Sequence, residues 1–359
     1  MKADFHPRAL AAWIGSLPMD DHDEAVRIML DYTPEIPIWV QLPKFAAEGM
    51  VAQFARGMPG LSAKDGRIYV DSGKEDFDNE LLAFMETYMA VSEGSEDITD
   101  SRFALEKQDA PGFYIFMREL DRGACKPAAV KGQVTGPFTF GTGLVDQEGR
   151  AVFYNEQLRD AAIKLIAMKA RWQVNRMKKY GVPVILFLDE PALAGFGSSA
   201  FISVSRNDVD QCFAEVIEAV HEEGGLAGIH VCANAEWSVI LESGADIVSF
   251  DAYSYFDKFM LYADQVSGFL NAGGILAWGI VPTGDTGAIE KETPESLYDL
   301  WLKEASQIES LGFERERIVS QSLITPSCGT GSLSRKHAVR VIDMNRRLSE
   351  MIRTLTNNH

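Results

Sequence analysis

The chain has 359 residues, of which 46% are hydrophobic and 24% charged, and a formal net charge of -18 at pH 7. That balance suits a soluble globular protein of one large domain or two small ones, and the acidic surplus argues against binding a phosphate backbone, which needs clustered Lys and Arg. No apolar stretch approaches the roughly 20 residues that span a bilayer, the opening MKADFHPRAL lacks the apolar region of a secretory signal, and four cysteines are too few for a secreted disulfide framework. A cytoplasmic protein is therefore expected, with small molecules or another protein as partners and neither nucleic acid nor membrane.

Along the chain, short apolar or β-branched runs occur at 12–17, 37–42, 129–135, 183–188, 226–232, 246–251, 274–281 and 318–324. Eight is the number of strands in a closed parallel barrel. From the third run onward the intervals carry helix-period segments, at about 155–179, 207–223, 235–243, 254–270, 294–311 and 334–356, with Gly181 and Gly224 as stops. The runs are continuously apolar, as strands covered on both faces are. A (β/α)8 TIM barrel is the expected fold, and a doubly wound open sheet the competing one. The interval 55–128 exceeds a minimal barrel unit. With its acidic stretches, a helix-like ELLAFMETYMAVSE and a strand-like GFYIFMREL, it reads as an insertion after the second strand that shapes the opening.

On that scaffold the polar residues fall at the carboxyl ends of the runs, the rim that holds the active site in barrel enzymes. Gly15 and Ser16 end the first, Thr135 the third, Asp189 and Glu190 the fourth, His230 and Cys232 the fifth, Asp251 the sixth, and Thr325 to Cys328 the eighth. In a strand, residues i and i+2 share a face, so His230 and Cys232 project together. A lone H-x-C is more often a packed core feature, free cysteine being a common small hydrophobe. Cys328, in the polar loop TPSCGTGS after a different strand, makes that reading harder to hold, and two thiolates with an imidazole are ligands that zinc favours. Cys125 and Cys212 read as structural, and the histidines at 6, 22, 221 and 337 as surface or capping residues. Trp237, Tyr253, Tyr255 and Trp278 flank the site and read mostly as packing.

The pieces WIGSLP at 13–18, VTGPFTF at 134–140, LDEPAL at 188–193, IHVC at 229–232, ADIVSFD at 245–251 and TPSCG at 325–329 stand in a characteristic order and spacing. Through them the whole chain resembles the C-terminal catalytic barrel of cobalamin-independent methionine synthase, and more closely its short single-barrel relatives, within the superfamily that includes uroporphyrinogen decarboxylase. The resemblance implies one methyltransferase domain over 1–359, with His230, Cys232 and Cys328 ligating zinc. It implies Asp251 as the fourth, acidic ligand, with Asp where the synthase has Glu; orienting His230 from behind is its other reading. Homocysteine would be held by Ile14, Gly15 and Ser16 at its carboxylate and by Asp189 at its ammonium, leaving Glu190 a salt bridge or loop anchor. The family's second carboxylate is missing: Lys44 stands in its place, and Glu48, one helical turn later, is the candidate substitute.

The full-length synthase carries a further barrel and takes its methyl group from a folate. Resemblance to the short forms implies methylcobalamin or a methylated corrinoid protein as donor, with methionine as product. Two other functions stay open: the same machinery used on another thiol or between corrinoid and a carrier, and a non-catalytic barrel that binds an amino acid or tetrapyrrole and keeps a structural zinc.

Overall fold

A computed structural model describes residues 5–355; the first four residues of the MKADFHPRAL stretch, and residue 356 of the last expected helix, lie outside the described residues. The strands are β1 (Leu10–Ala11), β2 (Leu61–Lys64), β3 (Arg67–Val70), β4 (Val130–Thr135), β5 (Val184–Asp189), β6 (Leu226–Val231), β7 (Ile247–Phe250), β8 (Ile275–Val281) and β9 (Ser322–Pro326). Seven of them form one parallel sheet in the order β1-β9-β8-β7-β6-β5-β4, and β2 and β3 form a separate antiparallel pair. Each parallel step is a crossover through helix, for example Glu156–Met177 between β4 and β5 and Arg206–Glu222 between β5 and β6. Because all seven strands run the same way, their carboxyl ends share one rim.

The expected second strand departs from regularity. Residues 37–42 lie between the sheet edges formed by β1 and β4 but form no regular ladder with them: the backbone makes isolated parallel bridges, Ser16 with Gln41 and Ile38 with Lys131. The reason lies in where its backbone N–H groups go. Proline at 37 has no N–H to give, the Ile38 N–H points at Met29 Sδ, and the Leu42 N–H donates to Glu48 Oε2. At the other end of the chain, Ile318 belongs to the helix Arg315–Ser320, so the last strand begins later than its apolar run.

Within 55–128 the structure shows the β2–β3 hairpin and the helices Phe77–Ser92 and Pro111–Asp121. The second of these corrects the strand reading of GFYIFMREL. Pro111 opens the helix, and Phe113, Phe116, Met117 and Leu120 recur at helical spacing on its buried face. This helix lies so close on the 37–42 segment that a Cβ at Gly112 would come 2.1 Å from the Val40 carbonyl oxygen. The hairpin reaches the rim, where the Val70 N–H donates to Val145 O at 2.9 Å.

The interior divides into two apolar clusters. The larger fills the space between sheet and helices; the smaller, with Ala12, Ile185, Phe187, Ile247, Ile275 and Leu323, lines the concave face of the sheet. No helix among the described residues is long and apolar enough to cross a membrane.

Candidate metal centre and substrate site

Strand register places the polar residues. Thr135, Asp189, His230 and Ser249 are direct partners on β4, β5, β6 and β7, so four polar side chains stand abreast on the concave face just where the apolar lining ends. Two residues beyond His230, the backbone leaves β6 and Cys232 projects from the same side. Cys328 arrives from the loop after β9, which is braced on both flanks. The Ser327 N–H donates to Val281 O at 2.9 Å and its hydroxyl pairs with Thr283, while Thr330 donates to the Ser16 carbonyl from both its N–H and its hydroxyl.

The donor atoms of His230, Cys232 and Cys328 all lie within 4.8 Å of one another. Ligand atoms around a zinc ion bound at 2.0–2.3 Å are separated by roughly 3.5–4 Å, so little closure is needed. His230 is 3% exposed. Its Nδ1 is 2.9 Å from Ser249 Oγ, and its Nε2 is buried without a hydrogen-bond partner among the described residues. Holding one ring nitrogen so that the other faces a cation is how metal-binding imidazoles are oriented. The Cys328 thiol and the His230 ring hold Cys232 below the usual thiol range by favouring its thiolate; the same pairing, reinforced by burial, pushes Cys328 up. An unpartnered buried imidazole nitrogen beside two cysteine sulfurs fits a soft or borderline cation such as zinc.

Asp251 is not part of this convergent group. Its Oδ1 accepts from the Ser254 N–H at 2.8 Å and caps the helix Ala252–Phe259, although Cys232 and His230 are near enough to perturb it; burial, the larger effect, raises its carboxyl above the ordinary range.

Asp189 Oδ1 is buried and also lacks a partner among the described residues. Burial raises the Asp189 carboxyl, against the opposing pull of His230 and Lys131. Glu190 faces the other way, fully buried, and accepts from the Phe138 N–H, the Thr139 N–H and the Thr139 hydroxyl at 2.9, 2.9 and 2.6 Å. It is a loop anchor that fixes the start of the helix Pro137–Gly143.

Ile14, Gly15 and Ser16 lie across the mouth between the 37–42 segment and the Cys328 loop. The Gln41 N–H donates to Gly15 O at 3.1 Å, the Leu17 N–H to Gln41 O at 2.9 Å, and Ser16 Oγ accepts from the Gly331 N–H at 3.2 Å. Gly15 adopts φ +146°, open to glycine and strained for other residues. Neither candidate for the missing carboxylate faces this turn. Lys44 is exposed and paired with Asp20 at 2.6 Å, whereas Glu48 is buried against His22 Nε2 at 2.7 Å and the Leu42 N–H.

Three site residues escaped the sequence reading: Ser249, Lys131 and Gln133. Lys131 is fully buried on the concave face. Its Nζ donates to Ile14 O at 3.3 Å and lies 3.9 Å from the centre of the Phe187 ring, and burial lowers its ammonium below the usual lysine range. The signal was partial: Ser249 is a single polar residue in the apolar strand IVSF, and Lys131, Gln133 and Thr135 alternate along VKGQVT at concave-face parity. Trp237 and Trp278 are fully buried, Trp237 edge-on and Trp278 tilted against Phe250, and serve as packing.

The arrangement is a curled parallel sheet with a His, Cys, Cys triad at its carboxyl rim. No family model matches the sequence, and no curated protein does. Among solved structures the chain is similar to a methyltransferase from Methanosarcina mazei, with a TM-score of 0.53 at 12% identity over 96% of this chain and 94% of that one. It also aligns with a B12-independent methionine synthase from Shewanella sp. W3-18-1 in complex with selenomethionine, at TM-score 0.46 and 15% identity, and spans 64% of that protein's length with 64% of its own. A broad-specificity GH5-4 endoglucanase from Clostridium longisporum aligns at TM-score 0.42 and 12% identity over 93% and 99% of the two chains. The likeness to the Methanosarcina protein extends over nearly the whole chain and speaks for a shared fold.

Proposed function

We propose that the protein is a zinc-dependent thiol methyltransferase that methylates homocysteine to methionine, within a barrel that residues 37–42 complete. The observation that carries this reading is the convergence of His230, Cys232 and Cys328 at the carboxyl rim, with His230 Nε2 buried, unpartnered among the described residues and held from behind by Ser249. Zinc bound there would supply a deprotonated, still nucleophilic substrate sulfur at neutral pH. Three protein ligands leave a position for that sulfur; Asp251, the candidate fourth ligand, would reach it by turning from its helix cap and would give it up when the sulfur binds. The chain's own residues would do the positioning. Asp189, beside His230, would accept the substrate ammonium, and the Ile14–Gly15–Ser16 turn would receive the carboxylate.

The donor we propose is a methylcorrinoid, free or carried on a protein. Glu48 and Glu190 are each committed to hydrogen bonds that hold loops, and this reading assigns Asp189 to the substrate ammonium and Asp251 to the metal, an arrangement suited to a leaving group that departs without a proton, as reduced corrinoid does and a folate amine does not. The test is a methyl-transfer assay with purified, zinc-loaded protein and homocysteine, comparing methylcobalamin with polyglutamylated methyl-tetrahydrofolate. Methionine should form from methylcobalamin only, and Cys232→Ser and Cys328→Ser should each abolish it together with stoichiometric zinc. Transfer from the folate would overturn the donor assignment; full zinc retention in both variants would overturn the ligand assignment.

A further inference from the structure

The ammonium site proposed above has one acceptor, Asp189, where a three-donor cation needs more. Gln133 stands next to it. It lies on β4 at concave-face parity and pairs in register with Phe187, one layer below the partners Thr135 and Asp189, so Gln133 and Asp189 are diagonal neighbours on adjacent strands. Such neighbours have Cα atoms about 7–8 Å apart, a span that two side chains can close around one nitrogen. The amide of Gln133 is fully buried, and its orientation is set from outside: Nε2 donates to the Trp39 carbonyl at 3.1 Å, an acceptor only, so Oε1 is the end left over. That oxygen has no hydrogen-bond partner among the described residues, like Asp189 Oδ1. The same amide lies against the turn assigned to the substrate carboxylate, since a Cβ on Gly15 would come 3.1 Å from Gln133 Nε2 and 3.2 Å from its Cδ. The buried cation nearby, Lys131, acts on Asp189 through its charge, while its Nζ hydrogen-bonds Ile14 O and lies over the Phe187 face.

We infer that Gln133 is a specificity-determining residue whose Oε1 accepts a second hydrogen bond from the substrate ammonium, in the role left open by Lys44. This rests on the amino-acid reading of the site. Two buried, unpartnered acceptors on neighbouring strands would select for a ligand that carries N–H donors, because a ligand without them leaves both oxygens desolvated and unpaired.

The experiment is calorimetric binding of methionine and of its des-amino analogue 4-(methylthio)butanoate to the zinc-loaded wild type and to Gln133→Met, a swap of similar volume that removes the acceptor. The variant should bind methionine roughly ten-fold or more weakly and the analogue as the wild type does. Equal methionine affinity in the two proteins, or an equal loss for both ligands, overturns the role of Gln133 and leaves the amino-acid site standing. Failure of the wild type to bind methionine at all overturns that site and this inference together. Should Q133M fail to fold, N,N-dimethylmethionine puts the same question to the wild type: with one N–H it cannot serve both oxygens and should bind at least ten-fold more weakly than methionine, and equal binding refutes the pairing.

Discussion

Removing the Ser249 hydroxyl tests whether His230 is a prepared metal ligand or a packed core residue. With zinc on Nε2, Nδ1 must carry the proton and Ser249 Oγ, 2.9 Å away, must accept it. Ser249→Ala leaves that N–H buried without a partner, a penalty of about 1–3 kcal/mol. Part of this falls on the metal-free protein as well, where the ring can change tautomer; the remainder appears in metal binding. Loss of an orienting partner behind a ligating imidazole typically lowers metal affinity 10- to 100-fold, or about 1.4–2.7 kcal/mol. The substitution removes one oxygen from a buried site and both thiols remain, so the variant should still bind one zinc when the metal is in excess. Competition against a chromophoric chelator would read the difference directly. A zinc affinity within two-fold of the wild type, in a protein with an unchanged melting temperature, would refute the assigned tautomer and with it the role of Nε2.

Two further outcomes follow from the geometry. Asp189→Asn should weaken methionine binding by about 1.5–3 kcal/mol, the worth of a hydrogen bond to a charged group, while zinc content stays unchanged; calorimetry and metal analysis on one preparation check both. Lys169, fully buried on the helix Glu156–Met177, has its ammonium lowered to about 8 by desolvation. Its unfolded counterpart therefore holds a proton between about pH 8 and 10.5 that the folded state has lost, so this group makes stability rise with pH across that window, by roughly 3 kcal/mol at most. Lys169→Met should be more stable than the wild type at pH 7 and should lack that rise; denaturant titrations at pH 7, 8.5 and 10 decide, and parallel curves for the two proteins would contradict the assignment.

What could be read from sequence alone followed strand parity and strand direction. His230 and Cys232 two apart, and Cys328 after another strand of the same direction, are enough to bring three donors to one rim. The 37–42 segment was legible as extended chain but not as an irregular one, because its defect comes from Met29 and Glu48, whose approach depends on how neighbouring loops fold. GFYIFMREL misled for a different reason: aromatic and branched residues favour strands intrinsically, yet Pro111 and the spacing of Phe113, Phe116, Met117 and Leu120 give a helix once the 37–42 segment offers a surface to cover. Glu48 looked available from its distance along the chain, but the unsatisfied Leu42 N–H and the His22 ring claim both its oxygens. Ser249, a lone polar residue in an apolar run, and Lys131 and Gln133, which share the mixed run VKGQVT with Thr135, have a meaning that depends on which side chains stand beside them across the sheet.

The most direct test of the central claim is a count of sulfur atoms around the metal. Zinc K-edge X-ray absorption on the purified protein should show two sulfur scatterers at about 2.3 Å, from Cys232 and Cys328, and addition of homocysteine should raise the count to three as the substrate thiol takes the exchangeable position. A shell that stays at two sulfurs under saturating homocysteine would contradict a zinc-activated thiol and leave the metal a structural one.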